Sequence, residues 1–162
     1  MNYSGTARSN YVAVKNVEAF KTWAVQRKLE VFEGHDGNVG LFGISPDREK
    51  TDTGDWPNWV DLSVDLPTGL NEERALAWYA SQNAEDDGML EIDIATELAE
   101  HLVPGHVAIL MEAGHEGRRF VAGRAIAVDS TKRQIALSLN DIYPLAAAFF
   151  MVPPTSINSA SY

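Results

Sequence analysis

The chain of 162 residues contains no cysteine, which excludes disulfide staples, thiolate metal sites and a cysteine nucleophile. Long apolar runs are also missing. The longest, "PLAAAFFMVPP", falls far below the roughly 18 residues of a membrane-spanning helix. The opening "MNYSGTARSNYV" has no apolar core behind a basic region and does not read as a secretory signal, so a cytoplasmic address is expected. Scarcest of all is positive charge in the middle of the chain. Residues 36–116 hold 18 acids against only Arg48, Lys50 and Arg74, a net of −15, while the flanks carry five acids and ten bases. The whole chain stands at −10. An acidic surface repels nucleic acid and anionic lipid, so neither is an expected direct partner and a basic protein is.

What is present suffices for a fold. Hydrophobic residues make up 45% and charged residues 22%, ordinary values for a globular chain long enough for one core. "SNYVAVKN" reads as a strand, and Asn16 is placed to cap a helix through "VEAFKTWAVQRKL", whose Val17, Phe20, Trp23 and Ala24 share one arc. "LEVFEG", "HDGN" and "VGLFGIS" spell a hairpin. In "WVDLSVD" Val60, Leu62 and Val64 alternate with polar neighbours, which predicts a strand with one buried face. "NEERALAWYASQN" predicts a helix starting near Asn71, "MLEIDI" a strand, and Ile94, Leu98 and Leu102 a short helix. "HVAILME", "RRFVAGRAIAVD" and "QIALSL" predict an antiparallel meander with a tip at "AGHEG", and "NDIYPLAAAFFM" a last helix with Pro144 in its first turn. The expected fold class is therefore α+β, a single domain with a largely antiparallel sheet, three to four helices and a C-terminal strand meander. Residues 1–7 and 153–162 are polar and aperiodic and are expected to be flexible tails around a domain at 8–152.

Familiar catalytic patterns fail one by one. Nitrogen ligands are limited to His35, His101, His106 and His115. Glu112, His115 and Glu116 in "EAGHEG" would be the centre of a small metal-dependent hydrolase, yet the spacing is not HExxH and no third ligand is fixed. The glycines of "GNVGLFG" miss the GxGxxG spacing, and "DREKTDTGD" lacks the central glycine and closing glutamate of an EF-hand. No GxSxG occurs. No catalytic residue, metal ligand or cofactor is assigned.

"AEDDGMLEIDIATELAEH" holds the densest acid, with His101 the only residue that can turn positive. Catalytic carboxylates need burial or a close like charge to shift their pKa values, and the pattern promises neither. A partner-binding face is the better reading. Its candidates are Asp61, Asp65, Glu72, Glu73, Glu85, Asp86, Asp87, Glu91, Asp93, Glu97 and Glu100. Trp56 and Trp59, with Trp78 nearby, are the candidate apolar anchors. One helix alone is too sparse to imitate duplex DNA, which carries about one charge per 1.7 Å, so several acidic segments would have to share a side.

"SNYVAVKNVEAFKTWA", the "DGNVGLFG" hairpin and "ELAEHLVPGHVAILMEAGHEGRRFVAGRAIAVDSTKRQIALSLNDIY" together resemble small acidic accessory proteins of bacterial plasmids, integrated elements and phages. The resemblance covers most of residues 9–143 and brings no catalytic residue with it. It implies a mobile-element setting in which such proteins inhibit host defence nucleases. The expectation is a non-enzymatic acidic inhibitor of a basic nucleic-acid-binding protein or nuclease complex, of anti-CRISPR or anti-restriction type, acting in the host cytoplasm. The alternatives are an immunity protein for a basic nuclease toxin and the small hydrolase centred on Glu112 and His115. A homodimer joined through "LAAAFFMVPP" is a further structural reading.

Overall fold

The computed structural model describes residues 3–51, 54–116 and 120–159. Their framework is an antiparallel sheet in the order β1–β6–β7–β8, formed by β1 (Tyr3–Ser9), β6 (Val107–Glu116), β7 (Phe120–Asp129) and β8 (Gln134–Ser138). The last three are the expected meander. β6 and β7 pair from Val107 opposite Asp129 to Glu116 opposite Phe120. Side chains alternate along each strand, so the sheet has two faces. Ala108, Leu110 and Val128 are buried on the inner one, whereas Met111 and Leu137 are exposed on the outer one.

The inner face is covered by α3 (Ile94–His101), whose Ile94, Ala95, Leu98 and Ala99 are buried. Asp93 starts this helix by accepting from the N–H groups of Ala95 and Thr96 and from the Thr96 hydroxyl, as a good N-cap does. α1 (Val17–Gln26) begins after Asn16, whose side chain accepts from the Ala19 N–H at 2.9 Å, and it buries Phe20, Trp23 and Ala24. β2 (Leu29–Glu33) and β3 (Phe42–Pro46) form the expected hairpin. Ser9 ties that hairpin to the main sheet: its Oγ accepts from the Ile44 N–H at 2.8 Å. Phe20, Ile44, Leu98, Leu102 and Val128 are the largest fully buried side chains. Each contributes about 1.5–3 kcal/mol by leaving water.

The α+β class holds, with eight strands and four helices among the described residues. Local expectations differ in four places. Residues 1–7, read as a loose tail, include most of β1, which pairs with β6 from Tyr3 opposite Glu116 to Ser9 opposite Leu110. Its inward positions are Gly5, Ala7 and Ser9, and the loop at Gly54 passes close to the first of them: a Cβ on Gly54 would stand 2.5 Å from the Gly5 carbonyl oxygen. Small residues at the inward positions leave no apolar alternation to read. The strand expected in "SNYVAVKN" is reduced to two isolated bridges, Val12 with Phe42 and Val14 with Leu102.

The strand expected from Val60 to Val64 stops early. β4 (Trp59–Asp61) is followed by a 3-10 turn (Leu62–Asp65), because Asp61 accepts from the Ser63 N–H at 2.8 Å and turns the chain. Val64 is consequently exposed. Beyond the turn, α2 (Glu72–Ser81) and β5 (Met89–Glu91) lie as expected, with Asn71 capping α2. The segment expected as the hairpin tip, "AGHEG", is strand as far as Glu116, and its last residue lies with 118 and 119 outside the described residues. α4 (Ile142–Phe150) carries Pro144 in its first turn, and one 3-10 turn (Pro154–Ser156) follows within the expected C-terminal tail. Residues 160–162 of that tail lie outside the described residues. No described helix is long and apolar enough to cross a membrane.

Candidate acidic binding surface

Residues 59–93 form a small acidic lobe. β4 and β5 pair with Trp59 opposite Glu91 and Asp61 opposite Met89, and only Val60 of β4 is buried. The turn before β5 is stitched to the turn after β4 by the Leu62 N–H, which donates to the Gly88 carbonyl at 2.8 Å. Gly88 has φ +84°, and a Cβ there would meet the Tyr79 ring at 3.0 Å and the Ser63 nitrogen at 3.2 Å. Tyr79, the one buried residue of α2, therefore anchors its helix on the same turn.

Three acidic segments meet at this point. Asp61 ends β4 and Asp65 ends the 3-10 turn, Glu85, Asp86 and Asp87 come from the turn before β5, and Glu91 ends β5 with Asp93 just beyond it at the start of α3. Glu72 and Glu73 sit in the first turn of α2, about 10 Å along the helix from Tyr79. There they also favour the positive end of the helix dipole. Across residues 59–93 nine carboxylates face a single base, Arg74. None of the nine makes an ion pair among the described residues. Asp61 is held below the usual carboxylate range, first by its hydrogen bonding to Ser63. It stays ionised at neutral pH.

Glu97 and Glu100, counted with this face from the sequence, are offset from within. Glu97 accepts from Trp23 Nε1 and Arg27 Nε, both at 2.7 Å, and from Arg27 Nη2 at 3.2 Å. Glu100 meets Lys132 at 2.6 Å, and that hydrogen bond lowers its pKa. Both cations come from the basic flanks. The folded chain thus neutralises α3 and leaves the lobe negative, a distinction that charge counting along the sequence misses.

The tryptophans separate as well. Trp56 donates from Nε1 to the Met111 carbonyl at 3.2 Å and packs against the core. Trp78 leans on Tyr79 with ring centroids 5.7 Å apart. Trp59 is 39% exposed beside Glu91, and is the anchor candidate that remains open.

The hydrolase arrangement does not assemble. Glu112 lies opposite Arg124 on the inner face of the sheet, while His115, an odd number of residues away on the same strand, is exposed on the outer face. His101 packs against Trp23 and Phe20, and burial lowers its pKa. His106 Nδ1 accepts from the Ala13 N–H at 3.4 Å, and His35 stands on the surface near Asp36. Among the described residues no group of three or more His, Asp or Glu is placed to hold a metal ion.

One feature had no signal in the sequence. Between the lobe's base and the inner sheet face lies an open cleft of about 650 Å³, bordered by Trp56, Glu91, Asp93, Leu110, Glu112 and Arg124. Residues 55–58 and the segment from β5 into α3, joined where the Ile92 N–H donates to the Asn58 carbonyl at 2.9 Å, line it on the side away from the sheet. Comparison of the chain with protein-family models, curated proteins and solved structures finds no match, so no residue role is carried into this surface from a relative.

Proposed function

We propose that the chain is a non-enzymatic acidic binding protein that occupies the basic nucleic-acid-binding surface of a partner. In this reading the partner is a host defence nuclease complex of the restriction or CRISPR type, met in the host cytoplasm, and no cofactor takes part. The observation that carries the proposal is the lobe at residues 59–93, with nine carboxylates against one arginine and no ion pair of its own among the described residues.

Magnitude favours mimicry over mere solubility. The ten residues of α2 extend about 15 Å, a length over which duplex DNA displays about nine phosphates. The lobe gathers nine carboxylates and one arginine around that helix and the β4–β5 pair, a net of −8. Complementary charge raises the encounter rate and sets orientation, and Trp59 supplies the apolar contact that slows release.

The test has two steps. The protein is used as bait in a bacterial host lysate, beside a variant with Asp65→Lys, Glu85→Lys and Asp86→Lys; a nuclease complex retained by the first and lost by the second is the expected result. The captured complex is then titrated with its nucleic acid, with and without the protein, at two ionic strengths. Competition that weakens at the higher salt supports the proposal. Simultaneous binding of protein and nucleic acid at both strengths would sink it.

A further inference from the structure

The outer face of the main sheet and α4 form a second surface, on the side of the sheet away from α3 and the cleft. Met111, Ala125 and Leu137 stand in one row across β6, β7 and β8, and Ile109, Ala127 and Ile135 in the next. Over the first row runs a shallow, mostly apolar groove of about 540 Å³. Leu139 closes one end by lying on Gly123, where a Cβ would meet it at 2.9 Å. The chain then turns into α4, "IYPLAAAFF", which has no charged residue. Leu145, Phe149 and Phe150 on this helix are 62–80% exposed. α4 packs chiefly on the turns at either end of itself. Twelve of the seventeen exposed large apolar residues of the described structure fall within 107–152, so this is one concentrated patch rather than scattered exposure.

We infer that this patch is the interface between two copies of the chain, the outer sheet face and α4 of one packing on the same elements of the other about a two-fold axis. Such an interface is self-complementary, as two-fold symmetry demands. Charge is the first support. A molecule of net −10 repels its own copy wherever carboxylates face outward, but among the described residues few adjoin the patch: Glu112, which lines the groove together with Arg8 and Arg124, and Asp129 and Asp141 at its border. Asp129 is paired with Arg133, and Asp141 accepts from the Ser138 N–H. Area is the second. Met111, Ile135, Leu137, Leu145, Phe149 and Phe150 are each more than half exposed. Together they offer roughly 700 Å² of apolar surface, close to the about 800 Å² per partner of a standard interface.

The third support is the sheet edge. β1 is flanked on its far side by β3, whereas among the described residues no strand pairs with the far edge of β8, whose five residues are all exposed and uncharged. A chain that stays single guards such an edge with lysine, proline or a covering segment. A second copy supplies the cover. The inference is independent of the acidic lobe, which lies on the opposite side of the sheet.

Size-exclusion chromatography with light scattering should return twice the chain mass of 17.8 kDa at micromolar concentration. Leu137→Glu and Phe149→Glu, both at exposed positions, should each weaken self-association about 100-fold with an unchanged far-ultraviolet circular dichroism spectrum. Val39→Glu, exposed on the β2–β3 connection, should leave the dimer intact. A readout without added charge uses the absence of native cysteine: in Phe149→Cys, a short bismaleimide should join two copies. A wild-type monomer at the highest concentration reached, a dimer indifferent to both glutamates, or a failure of the cross-link overturns the inference. So does a monomer that sediments with phosphatidylcholine vesicles, which would assign the patch to lipid.

Discussion

The two kinds of carboxylate in this molecule predict opposite responses to the same substitution. Glu97 is 26% exposed and bridges α1 to α3 through Trp23 and Arg27. Its removal strands a half-buried guanidinium and an indole N–H, so Glu97→Ala should cost about 2 kcal/mol in urea denaturation. Glu85→Ala or Asp86→Ala removes an exposed charge that makes no ion pair among the described residues and should stay within about 0.5 kcal/mol. If the two classes respond alike, the division into a neutralised helix and an open lobe is wrong. Acid stability follows from the same scale. Asp129 is lowered to about 2, chiefly by its hydrogen bond from the Thr131 hydroxyl. A depressed carboxylate stabilises the fold above its unfolded pKa of 3.8, and that contribution disappears as pH falls towards 2. His101 is also depressed, by burial, so its contribution erodes as pH drops below its unfolded value near 6.5. Asp129→Asn should flatten the stability curve between about pH 4 and 2 and leave the shallower loss below about pH 6.5 in place.

Among the elements, β1 and the Gly88 turn make the firmest expectations. Deleting residues 1–9 strips the ladder from one edge of β6 and uncovers Leu110, so Tm should fall by about 10 °C for a loss of about 3 kcal/mol. Gly88→Ala forces a side chain into the left-handed region against Tyr79; it should cost about 1–2 kcal/mol and speed hydrogen exchange selectively across residues 59–93. Helices and meander were legible because their signals are local: Asn16 and Asn71 cap, and the apolar periods run uninterrupted. β1 was not, since its inward positions, Gly5, Ala7 and Ser9, carry no large apolar side chain and so give no alternating signal. Nor was the early end of β4, where one carboxylate at Asp61 outweighs the alternation of Val60, Leu62 and Val64. Eleven acids were identified as one candidate face; that Glu97 and Glu100 would be offset by Arg27 and Lys132 depends on tertiary pairing that spacing does not encode.

For the whole molecule, the acidic lobe and the apolar patch lie on opposite sides of the sheet, so the proposed partner binding and the inferred self-association should respond to salt separately. Raising salt from about 50 to 500 mM should slow association with a basic partner at least tenfold. The same change should leave self-association through α4 unchanged or slightly stronger, because burial of apolar groups is not screened. Stopped-flow association and sedimentation equilibrium over one salt series read the two separately.

The pairing of β4 with β5 has one more consequence. Asp61 and Met89 stand directly opposite each other, and opposed residues of antiparallel strands lie about 5 Å apart. Everything between them is therefore, in topological terms, an insertion with adjoining ends. Residues 62–88 carry six acids and one base, half of the net charge in a sixth of the length. An Asn-Gly turn joining Asp61 to Met89 would excise that cargo and leave the scaffold of sheet, α1 and α3 closed behind it. The same junction would accept a different insert, so that the acidic segment is, by its topology, an exchangeable cassette between two paired strand ends.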